Sequence, residues 1–478
     1  MSSRHSSRRD HLLHLSPQQS PAQPPPPPPQ RGHSQHLVLT PTVSSRPGPM
    51  SAVAPPPAVN GGAHNSPRNG PPAQANGAPL SSIQKLNQAN ESTWLLIGAV
   101  AEQMQDLDRA QQAYEHALRH NPHSINALMQ LAGIARVREN YNKAVEYFQR
   151  VIQIQSDHGE AWSAIGHCYL MQDELQKAYS AYQQALYWLP NPKEDPKLWY
   201  GIGILYDRYG SLDHAEEAFA SVLRMDRDFD KANEILFRLG IIYKQQGKYA
   251  QSLECFERIL RSPPNPLAHV DIWFQMGHVY EQQKDYVRAK EAYERVIAEK
   301  PHHAKVLQQL GWLHHQHDAP FQNQELAIQY LTKSLEADPG DAQSWYLLGR
   351  AYMAGQKYNK AYEAYQQAVY RDGRNPTFWC SIGVLYFQIN QYRDALDAYS
   401  RAIRINPYIS EVWFDLGSLY ESCNNQISDA IDAYARAAEL DPSNKVISHR
   451  LQLLKQAQAT GGSVPAAPGP QDASPPRR

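Results

Sequence analysis

The stretch WYGIGILYDRYGSLDHAEEAFASVLRMD runs from Trp199 to Asp226 and orders its residues by size: Trp199, then Gly203, Tyr206, Ala215 and Phe219. Its apolar residues fall at three- and four-residue spacings on either side of the polar turn RYGSLD, which predicts two helices in a hairpin. Neither helix has enough apolar surface to be stable alone, so the hairpin needs neighbours. The sequence supplies them. The same order of sizes returns at Trp345/Gly349/Tyr352/Ala361/Tyr365, at Trp379/Gly383/Tyr386/Ala395/Tyr399 and at Trp413/Gly417/Tyr420/Ala430/Tyr434, a period of 34 residues. With the copies that open at Trp94, Leu128, Trp162, Leu236, Trp273 and Leu307, the array holds about ten repeats.

Each recurring position has a packing role. The proline near the end of most repeats lacks an N–H and stops the second helix. Glycine at the eighth position removes a side chain where the two helices approach, and alanine at the twentieth is expected to do the same from the opposite side. Trp or Leu at the fourth position and Tyr or Phe at the twenty-fourth are expected to fill the space between hairpins, each ring contributing roughly 1.5–3 kcal/mol by burial. Insertions such as PNPKED before Pro196, SPPNPL after Arg261 and QHDAPFQNQ at 316–324 are rich in turn residues and predict surface loops. NKVISHRLQLLKQAQA at 444–459 has helical spacing without the repeat signature, as a terminal cap should. The signature W-x2-L-G-x2-Y…A-x3-F…A…P is that of the tetratricopeptide repeat. The expected fold is all-α: an α-solenoid superhelix of about ten tetratricopeptide repeats over 90–443, a capping helix over 444–459, and disordered tails over 1–82 and 460–478.

Composition bounds what such an array can do. With 46 Lys+Arg against 47 Asp+Glu there is no global field favouring nucleic acid or an anionic membrane, so direct DNA binding is disfavoured. Cys168, Cys255, Cys380 and Cys423 lie far apart without a C-x-x-C pair; they read as buried small apolar residues of a reducing compartment. No run approaches the ~18 apolar residues of a membrane span, so a soluble protein is expected. The start, MSSRHSSRRDHLLHLSP, has the Arg/Ser composition of an organelle transit segment and equally of a basic tail; the QPPPPPPQ block at 23–30 favours the tail.

Catalytic and metal motifs are missing: there is no H-E-x-x-H, no G-x-x-x-x-G-K and no G-x-S-x-G. His314, His315 and His317 lack an acid or cysteine at ligand spacing, and His158–Glu160 is half of a facial triad without its distal histidine. No enzyme, cofactor or metal is expected.

Function is therefore expected on the inner face, where the first helix of each hairpin presents its fifth, ninth and twelfth positions. In the fourth repeat these are Tyr200, Ile204 and Asp207; in the fifth, Phe237, Ile241 and Lys244; in the sixth, Phe274 and His278. The eighth repeat adds Tyr346 and Arg350, and the tenth Phe414. The five aromatics among them either wall an apolar partner-binding groove or lie beneath the neighbouring repeat; exposed apolar patches usually mean binding, which favours the groove.

Several blocks go beyond the generic repeat, among them LWYGIGILYDRYGSLDHAEEAFASVLRMD, EILFRLGIIYKQQGKYAQSLECFERIL and RNPTFWCSIGVLYFQINQYRDALDAYSRAIRINPYISEVWFDLGSLYESCNNQ. Over about residues 90 to 458 the chain resembles the fungal general transcriptional co-repressor of the tetratricopeptide-repeat type, of the glucose repression mediator family, and less closely the amino-terminal half of certain histone lysine demethylases. The closer resemblance implies a nuclear adaptor that grips sequence-specific DNA-binding repressors and a WD40-repeat co-repressor and recruits histone deacetylases. It implies docking of the WD40 partner on the first three repeats, through Leu95, Ala99, Met129, Gly133, Ser163 and His167. Members of that family extend further in Gln/Pro-rich regions, so a shortened chain is expected. The demethylase alternative would need a catalytic domain that the stretch beyond the cap does not supply. A chaperone adaptor clamping acidic tails would need Lys at the fifth and Asn at the ninth position, a pair found in no repeat.

Overall fold

The computed structural model describes residues 81–424, 426–460 and 466–470. Of the tail expected over 1–82, only Ser81 and Ser82 are described, and they open a helix; residues 461–465 and 471–478 also lie outside the described part. Among the described residues there are helices, turns and no strand. They fall into two compact units that divide between Arg138 and Glu139.

The first unit contains α1 (Ser82–Gln103), α2 (Leu107–His120) and α3 (Ile125–Val137). A capping box starts α1, in which Ser81 Oγ accepts from the Gln84 N–H and Gln84 Oε1 from the Ser81 N–H. The first helix thus begins at Ser82, ahead of the repeat domain expected from residue 90, and packs on α2 along Gly98, Ala101, Tyr114 and Ala117.

The second unit opens with α4 (Tyr141–Ile154) and continues as hairpins. These are α5 (Gly159–Met171) with α6 (Leu175–Trp188), α7 (Pro196–Arg208) with α8 (Leu212–Met225), α9 (Ala232–Gln245) with α10 (Tyr249–Leu260), and α11 (His269–Gln282) with α12 (Tyr286–Glu299). Then come α13 (Ala304–His315) with α14 (Gln324–Ala337), α15 (Ala342–Ala354) with α16 (Tyr358–Arg371), α17 (Pro376–Gln388) with α18 (Tyr392–Ile405), and α19 (Ser410–Asn424) with α20 (Ile427–Leu440). The last helix, α21 (Lys445–Thr460), packs on α20 with Ile447 and Leu454 buried. Each hairpin touches the next, and first helices also touch first helices of adjacent hairpins, as in α13 with α15 and α17 with α19. This is an α-solenoid of tetratricopeptide repeats.

The recurring residues pack somewhat differently from the sequence expectation. The eighth-position glycine faces the ring at position twenty-four rather than a small residue. A Cβ on Gly203 would stand 2.6 Å from Phe219 Cε1, and one on Gly277 2.4 Å from Tyr293 Cε1, so the missing side chain seats an aromatic ring. The fourth-position tryptophans are half-buried and do more than fill space. In five of the seven the indole N–H donates to a carbonyl in the turn before the helix: Trp162 to Ser156 (3.0 Å), Trp199 to Pro192 (2.8 Å), Trp345 to Pro339 (3.1 Å), Trp379 to Gly373 (3.0 Å) and Trp413 to Pro407 (2.8 Å).

Candidate partner-binding face

The residues expected to line the groove divide into two sets. Phe237, Tyr346 and Phe414 are 1%, 0% and 1% exposed, so they belong to the core and not to a groove wall. The reason is their neighbour at position twenty-four: Phe237 meets Phe256 at 5.9 Å, Tyr346 meets Tyr365 at 6.0 Å, and Phe414 meets Tyr434 at 5.3 Å between centroids. Tyr346 also stacks on Phe378 of the next first helix, at 4.9 Å. Ile204, Ile241 and Lys244 are buried as well. Tyr200, Asp207, Phe274, His278 and Arg350 remain half-buried and reachable.

Between adjacent first helices of the second unit polar residues form cross-ties, in two cases from the twelfth position of one helix to the sixth position of the next. Asp207 on α7 accepts from Arg238 Nη1 on α9 at 3.0 Å, and Glu234 holds the same guanidinium through Nε at 3.2 Å and Nη2 at 3.1 Å. Burial pushes the Asp207 carboxyl up, with Arg238 opposing it; burial, then Glu234, pushes the Tyr200 phenol up. Lys244 Nζ on α9 donates to Gln275 Oε1 on α11 at 2.9 Å, and burial lowers its ammonium pKa to about 8. Gln308 on α13 donates to Asp341 Oδ2 (2.6 Å) and Ser344 Oγ (2.9 Å) at the start of α15. Burial alone would raise Asp341, but hydrogen bonds from Lys305 and Ser344 hold it below the ordinary carboxylate value. The Arg350 guanidinium lies 5.3 Å from the Trp312 ring centroid, and Cys380 Sγ lies 3.7 Å from Asp415 Oδ2.

These ties pair the polar groups between first helices, several of them buried, and leave rings such as Tyr200 and Phe274 half-buried beside them. Phe274 is in edge contact with His278 at 4.6 Å and also meets His303 at 5.5 Å, while His278 Nδ1 is 3.9 Å from Glu281 Oε2. Such a surface offers donors, acceptors and flat apolar area to an extended polypeptide. His314 is buried against Tyr330 at 5.5 Å with Nδ1 3.2 Å from the Phe321 carbonyl, and burial lowers its pKa, so it serves the packing of the seventh repeat.

In the first unit, Leu95, Met129 and Gly133 are half-buried and Ala99 is exposed; Ser163 and His167, on α5 of the second unit, are half-buried. More prominent than any of these is an apolar face of α1 that the repeat frame did not mark: Leu86, Leu96, Ile97, Val100 and Met104 are 60%, 68%, 44%, 54% and 68% exposed. The signal for it was the spacing of 86, 97, 100 and 104 along a helix longer than the repeat requires. No helix of the described residues is long and apolar enough to cross a membrane.

Sequence comparison agrees with this geometry. Residues 83–198 match the cytochrome c-type biogenesis protein H TPR domain, residues 200–266 and 237–304 a tetratricopeptide repeat model, 349–390 a TPR repeat model and 376–408 a further tetratricopeptide repeat model. The chain is a tetratricopeptide-repeat protein. It is homologous to the general transcriptional corepressors. The general transcriptional corepressor ssn6 of Schizosaccharomyces pombe is 64% identical over 297 residues, which cover 62% of this chain and 27% of ssn6. The general transcriptional corepressor trfA of Dictyostelium discoideum is 61% identical over 293 residues, covering 61% of this chain and 21% of trfA. The chain thus spans about a quarter of the length of these relatives. A solved tetratricopeptide repeat protein from Parabacteroides merdae is 18% identical with a TM-score of 0.45, covering 54% of this chain and 98% of that one.

Proposed function

We propose that this chain is the gripping part of a nuclear transcriptional co-repressor scaffold and carries out no catalysis itself. Sequence-specific DNA-binding repressors would lie along the inner face of the second unit, where Tyr200, Asp207, Phe274, His278 and Arg350 are reachable. A WD40-repeat co-repressor would dock on the amino-terminal repeats, and histone deacetylases would be recruited to the assembly. The observation that carries this reading is the 64% identity over 297 residues to a general transcriptional corepressor, well beyond what repeat packing alone demands. The bare apolar face of α1 supports a protein partner for the first unit.

The test is co-purification of the full chain with nuclear proteins. Leu96→Asp with Val100→Asp should release the WD40 partner while repressors remain bound. Phe274→Glu with Arg350→Glu should release repressors while the WD40 partner remains. Circular dichroism should stay helical in both. Failure of the unaltered chain to recover a WD40 co-repressor or any DNA-binding repressor would overturn the assignment, and a melted helical signal would place the altered residues in the core.

A further inference from the structure

In the last repeat the polar positions of the first helix have no further hairpin to face. Ser418 and Glu421 occupy the ninth and twelfth positions of α19, and Arg450 of the capping helix α21 stands opposite them. Glu421 Oε2 accepts from Arg450 Nε at 3.1 Å and from Tyr434 Oη at 3.2 Å, and Glu421 Oε1 accepts from Arg450 Nη2. A buried carboxylate thus fixes a buried guanidinium in one orientation, with donor capacity to spare.

What takes that capacity is the chain itself. Arg450 Nη2 donates to the carbonyl of Ala466 at 3.0 Å, and Ser418 Oγ donates to the carbonyl of Pro468. Residues 466–470, Ala-Ala-Pro-Gly-Pro, have no secondary structure. Two of the five lack an N–H, so the segment offers mainly acceptors to a site made of donors. Pro468 also forms a wall of an open depression of about 620 Å³ lined by Lys445, Val446, His449, Arg450 and Leu453, which leaves room for more chain than the segment fills.

We propose that α19 and α21 form a binding site for an extended proline-containing segment, recognised through carbonyl acceptors two residues apart, and that residues 466–470 are its intramolecular occupant. Tethering gives that occupant an effective concentration in the millimolar range, so it competes with any similar segment arriving on a partner. The site uses none of the residues assigned to repressors or to the WD40 partner, and its test does not depend on either.

A fluorescent peptide of residues 463–472 should be titrated by anisotropy into the full chain and into a full-length variant with 466–470 replaced by Gly-Ser-Gly-Ser-Gly. The variant should bind the peptide at least about tenfold more tightly, because the internal competitor is gone. Within that variant Ser418→Ala should weaken the peptide severalfold with the melting temperature unchanged. Arg450→Lys, which keeps the charge opposite Glu421 but loses the planar fork, should weaken it further. A peptide with its three prolines changed to alanine should bind less well. Equal affinity for both full-length proteins, no binding by the opened variant at millimolar peptide, or indifference to Ser418→Ala or to the prolines would overturn the proposal.

Discussion

Lys244 shows how a repeat position becomes distinct. The residue is 9% exposed, its ammonium donates to Gln275, and burial is the cause of its lowered pKa. From 10.5 the pKa falls to about 8. Below pH 8 the lysine is charged folded and unfolded, and the full burial penalty applies. Between the folded and unfolded values the unfolded chain binds a proton that the folded chain lacks, so stability rises with pH. Lys244→Met should therefore remove the rise of stability between pH 8 and pH 10.5, a change separate from the pH-independent cost of leaving buried Gln275 Oε1 without its donor. Urea titrations at pH 7 and pH 10 check this; a variant whose stability rises between the two as much as the parent's contradicts it. The sequence places the twelfth position on the inner face of the first helix. That Lys244 meets an amide there while Arg238 meets two carboxylates could not be read from it, because a helical period gives an angle and not the group opposite. For the same reason Phe237, Tyr346 and Phe414 were legible as rings on the first helix but not as partners of the rings on the second.

At the scale of the element, the turns between paired helices are the strained points. Gly210 and Gly247 take the left-handed conformation with φ of 73° and 75°. Asp173, Lys284, Gln356 and Asn390 take it without being glycine. In the eighth repeat the sequence offers Gly355, yet Gly355 sits at φ −86° and the exposed Gln356 at φ 55°. Gln356→Gly should raise stability by about 0.5–1 kcal/mol, since the relief of Cβ crowding exceeds the added chain entropy. A chemical denaturation midpoint lower than that of the parent would contradict it. Helix positions and the capping helix were legible from periodicity, as were the insertions. The early start of α1 was less so: Ser81 and Gln84 form a capping box inside a stretch whose composition resembles the tail before it.

For the whole molecule, hairpins that touch mainly their neighbours imply stability distributed along the chain rather than held in one core. Native-state hydrogen exchange should show amide protection highest in the middle hairpins of the second unit, such as α9 to α16, and lower toward α21. One uniform value from α4 to α21 would contradict this. The Trp-to-turn hydrogen bonds add a mechanical consequence. They fasten the joints that precede α5, α7, α15, α17 and α19, whereas α9 and α13 carry Leu236 and Leu307 there and have no indole to offer. The couplings of the second unit are therefore braced unequally, which makes the joints before α9 and α13 the expected places for neighbouring hairpins to shift against one another.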